Sequence, residues 1–599
     1  METLNKCLLS LKKASCDSEK LAILHVIAKV APNLQLDLSY VNNLFDAISA
    51  EFILRLLKSN ESEDSQRYIC IAVRICSILF QNNCHLVNSN ASILFAIFNI
   101  VHQLKNEVLS ETLELLLSIS NIPECSKLLV DAECFTYLGK FVKEDKESSL
   151  VMSLFGKVLK ATSNFPDDAD MFMCELTALF AFSQDLKKFY YMHVLDEFVQ
   201  YLDHFELDYK KRPFIVFEDF IKGCREILQS RVKEEFKKNT LSLLLNFTNA
   251  FGAEFLFDSR NNCDEKFVAL VLTVTALELN FTNNQSFNVV NKNITIACQL
   301  THNLLLAIFS DCFENSQFAS NVGFIKNLLC SLNNVISAVF FYLKQIKLED
   351  IDSAQCSTMQ AASSLICIWA TEDTNNLRSD LVETQPIIFE VVKICFKGLT
   401  VENMEGAKLV DLFVLYILQN IQNTKLKLFQ RKYFIFVVDY LQHMLSGDIF
   451  NLQSIEFSLH LLNVYTLVFP KLLAKYKDFN CFYQLLLLLL NKEQFLLFSE
   501  LSYCSKVEAV SIAIFVLGLL DDKNEFLEKI YKLAFDILCL KNKKIVDNWI
   551  ILLQRLIEFS PKCSMLKVLM CSHRDLLSEK LNGVANAEDV LASLEDFCS

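Results

Sequence analysis

The sequence contains very little glycine and proline. Only 10 of its 599 residues are glycine and 7 are proline, whereas average usage is about 7% and about 5%. Tight hairpin turns, glycine-rich phosphate loops and flexible linkers need these residues at fixed positions. The shortage therefore disfavours an all-β protein and a dinucleotide-binding enzyme of the Rossmann type.

Positive charge is also in deficit. Lysine and arginine number 57 against 71 aspartate and glutamate residues, which gives a formal net charge of −14. A protein with this excess of negative charge repels the phosphate backbone of nucleic acids. We therefore expect no nucleic-acid partner.

Signals for export, disulfide formation and membrane insertion are missing. The N-terminal segment lacks the apolar core of a secretory signal peptide. The 22 cysteines form no CxxC pair, so we expect buried thiols in a reducing compartment and not disulfides or metal ligands. The most apolar windows, 485–490 and 509–520, are shorter than the about 20 residues that cross a bilayer. These features predict a cytoplasmic protein without a transmembrane segment.

Hydrophobic residues with helical spacing are abundant. They make up 52% of the chain, and segments such as 21–31 are apolar on two faces, as a helix packed between two neighbours must be. Two sets share the spacing i, i+3, i+7 and i+10, which places each set on one helix face: Met359, Ala362, Ile366 and Trp369, and Trp549, Leu552, Leu556 and Phe559.

These patterns predict an all-α fold, an armadillo/HEAT-like α-solenoid of stacked helical hairpins. At about 40 to 47 residues per repeat, the chain accommodates about thirteen units, although no signature recurs at a fixed period. We predict one continuous helical superhelix over residues 1–582 and a C-terminal tail over residues 583–599. Trp369 is expected to anchor the core, and Gly252 is expected to end a helix.

No arrangement of residues predicts an enzyme, a cofactor or a metal site. Gly139-Lys140 and Gly156-Lys157 are followed by Phe141 and Val158, where a phosphate-binding loop needs Ser or Thr. The nine histidines show no HExxH spacing. A helical magnesium-dependent enzyme that uses Asp521 and Asp522 is a disfavoured alternative, because no second ligand motif accompanies this pair, and a solvated loop explains it more simply.

Basic residues cluster in the segment KLKLFQRK at 425–432. Its cations are Lys425, Lys427, Arg431 and Lys432, and no acidic residue interrupts them. Such a cluster predicts contact with an anionic surface, either an acidic protein partner or lipid headgroups. A helix edge that covers the core gives the same pattern, so both interpretations stay open. The segment Arg231 to Lys238, RVKEEFKK, carries its own acidic residues and indicates a solvated helix face. The sequon Asn246-Phe247-Thr248 carries no weight in a cytosolic chain.

Three blocks of sequence occur in an order found in a known family. The first is 10–29, SLKKASCDSEKLAILHVIAK, followed by LFDAI at 44–48. The second is AFGAE at 250–254, leading through KFVAL at 266–270, and the third is 361–378, which contains Ile368-Trp369-Ala370. In these blocks the chain resembles the neurochondrin family.

The resemblance implies an atypical armadillo-like scaffold that acts by binding protein partners. It implies a role in cytoplasmic signalling, neurite outgrowth and endosomal trafficking, with a location in the cytoplasm or peripheral to endosomal or plasma membranes. Vertebrate members begin with adjacent cysteines that can be lipid-modified, and at this place the chain offers Cys7. A HEAT-type adaptor of vesicle coats or nuclear transport is the alternative within the same fold class.

Overall fold

The computed structural model describes most of the chain. It covers residues 2–31, 36–59, 65–83, 85–102, 104, 106–202, 204–205, 207–258, 265–283, 291–314, 316, 318–347, 356–372, 378–399, 404–421, 427–428, 430–446, 452–469, 473, 502–520, 547–559, 570–571, 574, 577–578, 590 and 592–594. This part of the chain is built from α-helices and contains no β-strand.

The first fifteen helices, with a short 3₁₀ helix at Tyr209–Lys211, precede residue 252. They are α1 (Glu2–Lys13), α2 (Asp17–Val30), α3 (Leu38–Ile48), α4 (Ala50–Leu57), α5 (Ser65–Asn82), α6 (His85–Ser89), α7 (Ala91–Val101), α8 (Asn106–Ile119), α9 (Pro123–Asp131), α10 (Cys134–Lys143), α11 (Ser148–Ala161), α12 (Asp167–Phe182), α13 (Asp185–Gln200), α14 (Phe214–Gln229) and α15 (Glu234–Phe251).

A second 3₁₀ helix, Glu254–Phe257, leads into the remaining described helices. They are α16 (Glu265–Asn283), α17 (Lys292–Ile308), α18 (Asp311–Glu314), α19 (Val322–Gln345), α20 (Cys356–Glu372), α21 (Arg378–Lys397), α22 (Met404–Asn420), α23 (Arg431–Ser446), α24 (Leu452–Val468), α25 (Tyr503–Leu520) and α26 (Asp547–Phe559).

Local sequence explains where several helices begin and end. The Asp37 side chain accepts the backbone N–H of Tyr40 at 2.6 Å and so caps the start of α3. Pro123 occupies the first turn of α9, where its missing N–H costs no helical hydrogen bond. Gly252 follows α15 with φ of 76°, a conformation that glycine adopts without strain. The predicted helix end at Gly252 is confirmed.

The packing of the helices divides the chain into two compact units. One unit comprises Met1–Thr275 and Asn303–Leu332, and the other comprises Ala276–His302 and Asn333–Ser599. In the first unit, helices α2, α5, α8, α11, α13 and α15 pack one on the next in a row. Helices α10, α12 and α14 form a second row, and the antiparallel pairs α10–α11, α12–α13 and α14–α15 join the rows as hairpins.

The second unit repeats this arrangement. Helices α20, α22, α24, α25 and α26 pack successively in one row, while α21 packs against α20 and α22, and α23 packs against α24. The predicted fold class, an all-α armadillo/HEAT-like solenoid of stacked hairpins, is thereby confirmed. The limits of one continuous domain at 1–582 and a tail at 583–599 stay a prediction, because the boundary lies outside the described residues.

The predicted core face of α20 is buried. Met359, Ala362, Ile366 and Trp369 are each at most 4% exposed, and the Trp369 ring meets Phe340 edge to face at 5.9 Å between centroids. On α26, Leu552 and Leu556 are fully buried, whereas the side chains of Trp549 and Phe559 lie outside the described part. The predicted faces are therefore confirmed for the residues whose side chains the structure describes.

One described helix is long and apolar enough to cross a membrane by length and composition alone. It is α19, with 24 residues, and its most apolar window is 44% buried inside the protein. Tyr342 and Leu343 on this helix are fully enclosed. Core helices of soluble proteins meet the same criteria, so α19 is weak evidence for a membrane segment. Of the two apolar windows, 509–520 falls within α25, and 485–490 lies outside the described residues.

Candidate partner-binding surfaces

The described part of the predicted basic cluster is an exposed turn before α23. Lys427 is exposed, and its carbonyl accepts the N–H of Gln430 at 3.2 Å. The neighbouring Leu428 is fully buried, and its carbonyl accepts the hydroxyl of Tyr465 at 2.6 Å. The turn is therefore anchored to α24 while its lysine faces solvent. Lys425 lies outside the described residues.

Arg431 and Lys432 form the first turn of α23 and are both exposed. The Lys432 ammonium lies 4.8 Å from the centroid of the Tyr433 ring and 5.3 Å from that of Phe389. The positive end of the helix dipole adds to these charges. We call Lys427, Arg431 and Lys432 the basic turn, and it is suited to an anionic partner.

A further cation next to the basic turn was missed by sequence reasoning. Lys393 of α21 lies 5.6 Å from the Phe389 centroid, so that this ring has ammonium groups from two helices near it. Lys393 is also paired with Glu390 at 2.9 Å, which offsets its charge. No signal in the sequence links α21 to the 425–432 segment, because their proximity depends on the stacking of the helices.

A second surface is formed by hydrogen-bonded polar side chains on α13, α15 and α17. The Asn246 amide donates to Asp196 at 2.8 Å, which links α15 to α13. The Asn303 amide donates to Asn249 at 2.7 Å and to the hydroxyl of Thr248 at 3.0 Å, which links α17 to α15. We call Asp196, Asn246, Asn249 and Asn303 the amide ladder.

The amide ladder lies at the surface. Asn249 is exposed, and Asp196, Asn246 and Asn303 are half-buried. A carboxamide carries an acceptor and two donors, which are the groups that a peptide backbone also presents. Among the described residues, Asn303 uses both of its amide donors in the ladder, whereas Asn246 uses one donor and Asn249 uses its acceptor, which leaves donors on Asn246 and Asn249 for a ligand. The arrangement can therefore hydrogen-bond to an added polypeptide without breaking the bonds between the helices.

Sequence reasoning did not select the amide ladder. Asn246 and Thr248 belong to a sequon, a pattern that does not indicate a binding surface, and Asn303 is an isolated residue in α17. The spacing of Asn246 and Asn249, i and i+3, places both amides on one face of α15. This spacing is the one signal in the sequence that pointed to the ladder.

The other candidates from the sequence are the aspartate pair and the cysteines. Asp521 and Asp522 lie outside the described residues. Cys76, Cys367 and Cys395 are buried, as the sequence predicts, and burial raises the pKa of the Cys76 thiol to about 12. Within the described residues, no group of three His, Cys, Asp or Glu side chains is placed to hold a metal ion.

Comparison with known proteins gives matches to one family. A family model described as Neurochondrin matches residues 1–445. Neurochondrin of Gallus gallus is 22% identical over 422 residues, which cover 67% of this chain and 58% of the relative. Neurochondrin of Homo sapiens is 21% identical over 415 residues, which cover 66% and 54%. The chain thus spans little more than half the length of the curated relatives that it matches.

The solved structures that match the chain include two protein complexes. Kap121p bound to RanGTP is 10% identical, with 99% of this chain and 63% of that chain covered and a TM-score of 0.37. The Kap95:Nup1 complex is 11% identical, with 100% and 72% covered and a TM-score of 0.30. These TM-scores are too low to carry an inference about this chain.

Proposed function

The chain belongs to the neurochondrin family, and on that premise we propose that it is a non-enzymatic scaffold that binds protein partners through its helical surfaces. The processes it serves are cytoplasmic signalling, neurite outgrowth and endosomal trafficking. The observation that carries the proposal is the amide ladder, because it joins three helices of the stack at the surface and keeps hydrogen-bonding capacity for a ligand.

The ladder acts as a contact strip for an extended peptide segment. A peptide lying across α13, α15 and α17 offers one N–H and one C=O per residue, and the ladder amides supply the complementary acceptors and donors. Because the ladder residues are already fixed by bonds to each other, binding costs little additional side-chain entropy. Specificity comes from apolar side chains of the partner on either side of the strip.

Affinity purification with matched variants tests this role. We expect wild type to retain a defined set of proteins from nervous tissue, and the triple variant Asn246→Ala, Asn249→Ala and Asn303→Ala to lose most of it. Asn239→Ala is the control, because Asn239 is an exposed asparagine on the same helix outside the ladder. Equal retention by the triple variant, with its melting temperature unchanged, would contradict the proposal. The retained proteins also report on the processes named above, since endosomal or signalling components are expected among them.

The basic turn provides a peripheral contact with anionic lipid headgroups. Its three described cations are exposed, and they stand at the positive end of α23. Against the overall net charge of −14, this local positive field brings one part of the second unit to a negatively charged membrane surface.

A further inference from the structure

A stacked pair of phenylalanine rings lies between α13 and α15. The centroids of Phe189 and Phe236 are 3.8 Å apart, with 21° between the ring planes. Both residues are half-buried, so part of the pair stays in contact with solvent. Leu186 precedes Phe189 by three residues on the same face of α13, and it is 79% exposed. We call Leu186, Phe189 and Phe236 the aromatic patch.

The aromatic patch and the amide ladder lie along one seam between α13 and α15. Three contacts follow one another along this seam: the Phe189–Phe236 stack, the hydrogen bond of 3.4 Å from the Thr240 hydroxyl to the Met192 sulfur, and the Asn246–Asp196 bond of the ladder. Their order is the same on both helices, so the two helices run in parallel. The seven residues from Phe189 to Asp196 span about 10 Å of helix, which is about three residues of an extended peptide.

Charges around the aromatic patch nearly cancel. They are carried by Asp185 and Lys187, which flank Leu186, and by the segment KEEFKK at 233–238, which contains Phe236. Together these positions hold four lysines and three acidic residues. The patch therefore does not select a ligand by charge, and apolar contact is what it offers.

The size of the patch fits one side chain of a peptide. A stable interface between two copies of a protein buries about 800 Å² on each copy, far more than three side chains provide when two of them are half-buried. Contact with an anionic membrane needs a local excess of cations, which the nearly balanced charges do not supply. The ladder, in contrast, continues the patch along the seam, so a peptide on the ladder brings its own side chains within reach.

We propose that the aromatic patch anchors one large apolar side chain of the same extended peptide whose backbone binds the amide ladder. This inference rests on the proposed scaffold function and names a requirement of its ligand. The anchor residue is Leu, Ile, Phe, Tyr or Trp, and it lies about three positions from the part of the peptide that contacts Asp196 and Asn246. Removal of apolar surface from water drives its binding, and the stacked rings give it a rigid platform.

Selection from a displayed library of random twelve-residue peptides, with the whole chain as target, tests the anchor. Crossing the ladder from α13 to α17 takes two helix spacings of about 8 to 10 Å each, or about six extended residues, and the patch lies about three residues further. Twelve residues therefore span both surfaces. We expect the enriched peptides to share a large apolar residue near one end. Enriched peptides without a shared apolar position would overturn the proposal.

A double-mutant cycle locates the anchor. Fluorescence anisotropy gives the Kd of one enriched peptide, and of the same peptide with alanine at the shared position, for wild type and for Leu186→Ser. Alanine should weaken binding to wild type by about tenfold or more. It should weaken binding to Leu186→Ser by a smaller factor, because both changes remove the same contact.

Leu9→Ser is the control for this cycle, since Leu9 of α1 is also largely exposed, at 61%, and lies outside the patch. It should bind the enriched peptide as wild type does. Leu186→Ser should keep the melting temperature of wild type, because its side chain is mostly in solvent. Wild-type affinity in Leu186→Ser, or losses that simply add, would place the anchor elsewhere and refute the patch.

Further outcomes separate the anchor from the scaffold function. If the enriched peptides lose affinity for the variant with alanine at Asn246, Asn249 and Asn303 but keep it for Leu186→Ser, the anchor fails and the scaffold function stands. If no peptide is enriched, both fail. Analytical ultracentrifugation tests the other occupant: a wild-type dimer that Leu186→Ser does not form would show that a second copy covers the patch, and this would also overturn the proposal.

Discussion

The ring of Phe172 on α12 occupies the space that a side chain at Gly139 on α10 would need. A β-carbon built at Gly139 would come 2.6 Å from the Phe172 ring. The same relationship joins Gly156 of α11 to the ring of Tyr201, also at 2.6 Å. In the sequence these glycines precede lysines and look like incomplete phosphate loops. The structure shows that they let successive hairpins approach closely.

Replacing Gly139 by alanine should destabilise the first unit. The added methyl group must displace Phe172, which is 1% exposed and packs edge to face with Phe155 and Phe198. We expect a loss of about 1 to 3 kcal/mol in the free energy of unfolding, measured by chemical denaturation. The control is Gly323→Ala in the first turn of α19, where the one close atom among the described residues is an oxygen of the Asn321 side chain at 3.4 Å. That variant should be neutral or stabilised by up to about 1 kcal/mol, and equal losses in both variants would contradict this account.

Local patterns carried the fold prediction, whereas contacts between distant residues were not accessible from the sequence. Periodicity predicts the helices and the buried face of α20, and Gly252, which tolerates positive φ, predicts the end of α15. No local pattern predicts the start of α10. Glu133 precedes α10 with φ of 53° and makes no capping bond, and Asp168 of α12 accepts the Phe135 N–H at 3.0 Å. Burial in this position raises the pKa of Asp168.

The candidate surfaces also depend on contacts between distant residues, which the sequence does not show. Asn246 and Asp196 are 50 residues apart, and Asn303 and Asn249 are 54 apart, so the amide ladder exists only once the helices are stacked. The basic turn was predicted because its cations are adjacent in the chain. Lys393 was missed because it reaches Phe389 from another helix.

Truncating Trp369 tests the core of the second unit. Trp369 is 4% exposed, and its ring packs against Phe340. Trp369→Ala leaves a cavity that the surrounding helices fill only in part, so we expect a loss of about 3 to 5 kcal/mol in stability. Trp369→Phe, which keeps most of the ring volume, should lose less. A melting temperature equal to that of wild type would show that the indole does not support the core.

His302 should make the protein less stable in mild acid. Burial, together with the positive charge of Lys408, lowers the pKa of His302 to about 4, below its ordinary value of about 6.5. Between these values the unfolded chain binds a proton that the folded chain does not, so stability falls as pH drops from 6.5 to 4. The largest contribution is about 3 kcal/mol. Urea unfolding measured at several pH values gives the free energy of unfolding as a function of pH. Between pH 6.5 and 4 this free energy should change less with pH for His302→Gln than for wild type or for the control His193→Gln, in which an exposed histidine is replaced. Parallel slopes in all three proteins would contradict the assignment.

The contribution of His460 to stability should change with pH in the opposite direction. Its imidazole is hydrogen-bonded to the buried Glu508 of α25, and this bond raises the pKa of His460. Its stabilising contribution is therefore complete below its ordinary pKa, about 6.5, and is lost as pH rises through the higher folded value. We expect His460→Gln to reduce the melting temperature more at pH 6 than at pH 8.5. A loss of the same size at both pH values would mean that the bond is not an ion pair.

Charge reversal of the basic cluster tests contact with anionic membranes. Lys425, Lys427, Arg431 and Lys432 are changed to Glu, with a second variant that carries Gln at 432, because the Lys432 ammonium packs near Phe389 and Tyr433. Wild type should co-sediment with vesicles containing about 30% phosphatidylserine and dissociate as salt is raised, since surface charges are screened. Both variants should lose this binding and retain the melting temperature of wild type. The control reverses Arg231, Lys233, Lys237 and Lys238, which equal the cluster in number of cations but flank Glu234 and Glu235 in the chain. If the control loses binding to the same extent, overall charge governs adsorption and not the basic turn. If neither variant of the basic cluster differs from wild type, the turn does not contact lipid.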